Sequence, residues 1–123
     1  MSTLKATTLS NLAGSKTVPT ETVVDGSAKA WVNFNGTGTV AIRRSFNVSS
    51  ITDNGTGDYT VNFTAAMVDA NYGVALSTGG SGVDVCRVND NLTARTSALV
   101  RTLYLSNSFT PTDSLYANVA IFS

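Results

Sequence analysis

The chain has 123 residues, only 13% of them charged, and its eight basic and eight acidic side chains balance to a formal net charge of zero. It has no histidine, one cysteine (Cys86) and one glutamate (Glu21). That excludes the usual imidazole base and zinc ligand, every Ser-His-Asp arrangement and an intrachain disulfide. With no net positive charge and no basic run, neither nucleic acid nor an anionic membrane is an expected partner.

In chain order, residues 2–26 show no sheet-like alternation. Thr, Ser, Asn and Gly dominate, and Leu4, Leu9, Leu12 and Val18 are too sparse for a core. The reading is an extended N-terminal arm, residues 1–26, ahead of one folded domain, residues 27–123. The arm is either an anchor onto a neighbouring protein or a frayed terminus. Pro19 to Gly26 can form one helical turn, with Pro19 early and Gly26 as the stop. No charged-then-apolar leader with a small-residue cleavage site is present at the start. No stretch approaches the ~18 uninterrupted apolar residues of a membrane span.

From Ala28 to Thr64 the pattern changes. Ala28, Ala30, Val32 and Phe34 alternate with Lys29, Trp31, Asn33 and Asn35. Val40 and Ile42 follow the turn NGTG, then Phe46 and Val48 alternate with Asn47 and Ser49. After DNGTGD come Tyr59, Val61 and Phe63. A period of two, rich in Val, Phe, Tyr and Thr, predicts four half-buried antiparallel strands joined by glycine turns. Arg44 falls on the inward parity of Val40 and Ile42, so a bulge is expected there.

The stretch AWVNFNGTGTVAIRRSFNVSSITDNGTGDYTVNFT resembles a segment of tail-fibre and minor tail proteins of tailed bacteriophages, and the opening MSTLKATTLSNLAGS is similar to their short N-terminal leader. The resemblance is close over residues 1–76 and weak over 77–123. It implies a trimeric virion component, assembled in the host bacterial cytoplasm, at the tail or on the particle surface. A capsid decoration protein and a module that binds a bacterial surface glycan are the alternatives.

Residues 65–71 read as a turn. Tyr72, Val74 and Leu76 restart the alternation, 78–82 (TGGSG) is a loop, Val83 and Val85 form a short strand, and 89–96 is a polar loop. For glycan binding the exposed loops 78–82 and 89–96, with Asn89, Asp90 and Asn91, are the candidate receptor-facing surface.

Ser97 to Leu105 and Ser114 to Phe122 carry apolar residues on both faces. Leu99, Leu103 and Leu105 oppose Val100 and Tyr104. Leu115, Ala117, Val119 and Ile121 oppose Tyr116, Ala120 and Phe122. Strands apolar on both faces are usually buried on both. A single sandwich buries only one, so the second face needs a symmetry mate, the arm or loops. Trp31, Leu99, Arg101, Leu103, Leu105, Leu115, Tyr116 and Phe122 are the candidate oligomer contact. Arg101 lies among leucines, and a buried arginine is costly unless paired. Its candidate partners are Asp84, Asp90 or Asp113, within the chain or across a subunit boundary; the other reading is a snorkelling side chain. Trp31 points away from Ala30, Val32 and Phe34 and can pack in a contact or stack on a sugar.

About eight short strands with turn clusters between them predict an all-β, antiparallel, jelly-roll-like sandwich. Asp53 to Asp58 has calcium-like composition but lacks the EF-hand spacing, so a hairpin turn with no metal is expected. Cys86 reads as a small packed hydrophobe. Five Asn-x-Ser/Thr triplets, beginning at Asn35, Asn47, Asn54, Asn62 and Asn91, read as by-products of Asn/Thr-rich strands. Asp53 and Asp58 make a poor pair for glycoside cleavage. No cofactor and no enzymatic activity are expected.

Overall fold

Alternating apolar residues give each strand one face that must leave water, and two such sheets stacked face to face satisfy one another. The computed structural model describes residues 2–80 and 82–123. Among them are β1 (Thr8–Ser10), β2 (Thr17–Pro19), α1 (Thr20–Gly26), β3 (Ala28–Asn35), β4 (Ala41–Phe46), β5 (Val48–Gly55), β6 (Asp58–Phe63), β7 (Gly73–Gly79), β8 (Val85–Val88), β9 (Leu99–Leu105) and β10 (Tyr116–Phe122). Two four-stranded antiparallel sheets, β4-β3-β10-β7 and β5-β6-β9-β8, form the sandwich.

The core is the set that alternation selects: Ala30, Val32 and Phe34 from β3, Tyr59, Val61 and Phe63 from β6, Val100 and Tyr104 from β9, and Ala117, Val119 and Ile121 from β10. Phe34 meets Tyr59 and Tyr104 edge to face, with ring centroids 5.2 and 6.4 Å apart. Such pairs add about 1 kcal/mol each beyond the area they bury.

The all-β antiparallel sandwich is as expected. The hairpins β3–β4, β5–β6 and β8–β9 each stay within one sheet, and the other four connections between β3 and β10 cross to the opposite sheet. Phe46 and Val48, read as one strand, belong to different sheets. Asn47 between them has φ 54°, which asparagine tolerates, and it clamps the crossing: its Nδ2 donates to the Lys29 and Ala65 carbonyls and its Oδ1 accepts from the Ala65 N–H. Val48 is consequently buried and Phe46 exposed. The arm is not simply extended either. β1 and β2 form a hairpin, and α1 follows with Pro19 as its N-cap, the helical turn expected there.

The bulge is where the parity break put it. Asn33 pairs with Arg44 and Phe34 with Ile42, so Arg43 is the extra residue. Ile42, expected inward, is exposed at this edge.

Strand direction sorts the loops onto two ends. The arm, Asn47, residues 64–72, loop 89–98 and the end of β10 share one end. The turns at 36–40 and 55–57, loop 80–84 (with Ser81 outside the described residues) and loop 106–115 share the other. That second end is closed by the two Asn-Gly-Thr-Gly segments. A Cβ on Gly36 would stand 2.4 Å from the Tyr59 hydroxyl oxygen. Gly57 has φ +70°, and its missing Cβ would lie 2.5 Å from the Tyr104 carbonyl oxygen. The Tyr59 hydroxyl lies 2.8 Å from the Gly36 carbonyl oxygen and 2.7 Å from Asp113 Oδ1, which also accepts the Gly57 N–H at 2.8 Å.

Candidate binding surface

The outward parity of β3 and β10 builds one open face on the sheet β4-β3-β10-β7. Pairing across the strands sets its rows. Phe46, Trp31, Ala120 and Ala75 lie side by side, and the next row is Arg44, Asn33, Asn118 and Ser77. Tyr116 follows towards the far end, with the Arg43 guanidinium 4.4 Å above its ring centroid. Phe122 closes the face at the arm end. Trp31, Tyr116, Phe122 and Leu115, just before β10, are all exposed. So β10 is covered on its core side and open on the other.

β9 is the opposite case. Leu103 and Leu105 point away from the core yet are only 8% and 4% exposed in a single copy. Loop 106–112 turns back over the strand end, where Pro111 bridges Leu105 and the Thr112 N–H donates to the Tyr104 carbonyl. Leu99, lower on the same face, is half-buried. Leu103 and Leu105 are therefore covered within one copy and leave the oligomer contact read from the sequence. Arg101 leaves it too. Its Nε and Nη2 each lie 2.7 Å from an Asp58 carboxylate oxygen and its Nη1 donates to Thr93 Oγ1. None of Asp84, Asp90 or Asp113 is its partner. The sequence places Asp58 in a glycine turn, whereas it opens β6 one diagonal step from Arg101.

The two candidate receptor-facing loops lie at opposite ends of the sandwich. Asn89 is buried, and its side-chain nitrogen has no hydrogen-bond partner among the described residues. Asp90 is held by Arg95 at 2.7 Å, a hydrogen bond that keeps its carboxyl below the usual carboxylate range. Asn91 is exposed. This loop lies at the same end of the sandwich as the arm.

In the arm, Leu4, Leu9 and Leu12 are exposed and Val18 is half-buried. A groove of about 440 Å³ is lined by Leu4, Leu9, Val23 and Val24 with Lys5, Ala6 and Thr20. A second groove, about 310 Å³, lies where the arm joins the sandwich, lined chiefly by Lys29, Phe46, Met67, Val68 and Ser123. Phe46 and Val68 were not singled out from the sequence. The alternation groups Phe46 with Val48, whereas it ends β4, and Val68 falls in the segment that reads as a turn.

Among the described residues no cluster of Cys, Asp and Glu has metal-binding geometry, and no helix is long and apolar enough to cross a membrane. Cys86 is half-buried and burial pushes its thiol pKa up, which disfavours the nucleophilic thiolate.

Fold and surface together define an antiparallel β-sandwich with an N-terminal hairpin-helix arm and one open, aromatic-bearing sheet face. Comparison with known proteins returned no matching family model, no matching curated protein and no matching solved structure.

Proposed function

We propose that the chain is a structural protein of a bacteriophage particle, a homotrimeric tail-fibre or tail-tip component anchored by its arm. The observation that carries this reading is the arm itself. Leu4, Leu9, Leu12, Val23 and Val24 are exposed on a unit of one short hairpin and one seven-residue helix. Neither a lone two-stranded hairpin nor so short a helix is stable alone in water. Such a segment gains order when a second surface covers its leucines, which is the behaviour of an anchor. The resemblance of residues 1–76 to phage tail proteins supports the same assignment.

Copies associate at the arm end of the open face, where Phe46, Val68 and Phe122 are exposed around the groove at Lys29 and Ser123. A contact there holds three arms side by side, and linked arms bind far more tightly than one.

Two measurements test the proposal. Light scattering of the purified full chain should give three times the chain mass. A Leu9→Ser, Leu12→Ser double variant should keep that mass yet fail to join particles when it replaces the wild-type chain during phage growth. A monomer at high concentration, or full incorporation of the double variant, rejects it.

A further inference from the structure

The middle of the open face holds a feature that a dry contact between copies does not use. Trp31, Asn33, Ala75, Ser77, Asn118 and Ala120 line a shallow groove of about 340 Å³. We propose that this groove binds an acidic polysaccharide, with one pyranose ring lying against the Trp31 indole.

Three observations point to that ligand. The indole edges the groove, with the methyl groups of Ala75 and Ala120 beside it in the same cross-strand row. An apolar strip of one aromatic and two methyls suits the C–H face of a sugar ring, which offers no charge and little bulk. Next to it, Asn33 Nδ2 donates to Asn118 Oδ1. The bond orients both amides and leaves Asn33 Oδ1 as an acceptor and Asn118 Nδ2 as a donor, neither with another partner among the described residues. Neighbouring sugar hydroxyls both donate and accept, so a vicinal diol satisfies the two at once. The Ser77 hydroxyl completes that polar row.

The third observation is charge. The four strands of this sheet carry Lys29, Arg43 and Arg44 and no aspartate or glutamate. Arg44 is the cross-strand neighbour of Asn33, and Arg43 is braced on Tyr116. In a chain of zero net charge this face is locally cationic. A glycan with carboxylate groups fits it better than a neutral one. Two arginines beside a single tryptophan are too few for the phosphate tracking that single-stranded nucleic acid requires.

Trp31 is the chain's one tryptophan, so emission from the full-length protein reports this groove alone. Titration with alginate oligomers should shift that emission saturably, and raising the salt should weaken binding by about tenfold through screening. Asn33→Ala and Asn118→Ala keep the indole reporter and should each weaken binding by about tenfold. Arg44→Gln should remove most of the salt dependence while leaving the far-ultraviolet circular dichroism unchanged. Dextran and oligothymidylate serve as the neutral and nucleic-acid probes. The proposal is overturned by no saturable response to alginate, by an equal response to dextran or oligothymidylate, or by full affinity in both asparagine variants.

Discussion

Arg101 of β9 grips Asp58 of β6 through two parallel bonds of 2.7 Å, on the sheet face away from the core. Both side chains are largely covered, at 17% and 12% exposure. Removing one partner leaves the other charge desolvated and alone, which outweighs the modest net value of the intact pair. Asp58→Asn and Arg101→Leu should each cost about 2 kcal/mol. The double variant should cost less than the sum, as read from denaturant midpoints in a double-mutant cycle. Because the pair lies within one copy, oligomer mass should not change.

Gly36 and Tyr59 form a second lock. Gly36→Ala drives a methyl into the Tyr59 hydroxyl and towards the Ser114 carbonyl oxygen, 3.0 Å from the added carbon. Overpacking of this kind costs about 1–3 kcal/mol. Tyr59→Phe removes the hydroxyl shared by Gly36 and Asp113 and should cost about 1–2 kcal/mol. Urea unfolding at unchanged m-value is the check.

The two kinds of apolar residue outside the core should respond oppositely to the same substitution. Leu103→Ala creates a void inside one copy and should lower stability by about 2–4 kcal/mol. Phe46→Ser and Val68→Ser touch only exposed positions. They should leave the melting of a single copy within about 0.5 kcal/mol of wild type while lowering the mass measured by light scattering.

Alkaline pH should unfold the protein. Burial, as the largest cause, pushes Tyr72 from 10.0 to about 12 and raises Tyr59 and Tyr104 further. Tyr59 is raised also by Asp113. A raised folded-state value means stability fully present below pH 10 and lost as the pH climbs through the folded-state values. A melting curve at pH 11 should fall below that at pH 8, with phenolate absorbance appearing together with unfolding.

Asp90 acts at the other extreme. Arg95 lowers its value below 3.8, so its contribution is complete above that pH and fades as the pH falls through the folded value. The pair is half-open to solvent, so Asp90→Asn should cost under about 1 kcal/mol. The difference between variant and wild-type melting should shrink as the solution is acidified below pH 3.8.

Much of the architecture was legible in residue order alone. Val32 against Trp31, Tyr59 against Thr60 and Val119 against Ala120 alternate because a strand turns successive side chains to opposite faces, and that local rule needs no partner. It assigned the inward residues of β3 and β6, the two alternating face sets of β9 and β10, a bulge beside Arg44 and the turns. The glycine segments were readable as turns, but not which glycine in each is pressed against a neighbour.

What covers an outward residue is a different kind of fact. Leu105 and Phe122 look alike in sequence, both apolar on the second face of a late strand. One is buried where its strand end bridges to Pro111; the other lies open to solvent. Arg101 could not be matched to Asp58, nor Asn33 to Asn118, because residues far apart in the chain meet only after the strand order is set. By itself the sequence determined which residues share a strand face, since that depends on backbone geometry one residue at a time. Only the tertiary structure decided which outward residues remain free to bind, because cover comes from strand neighbours and returning loops distant in the chain.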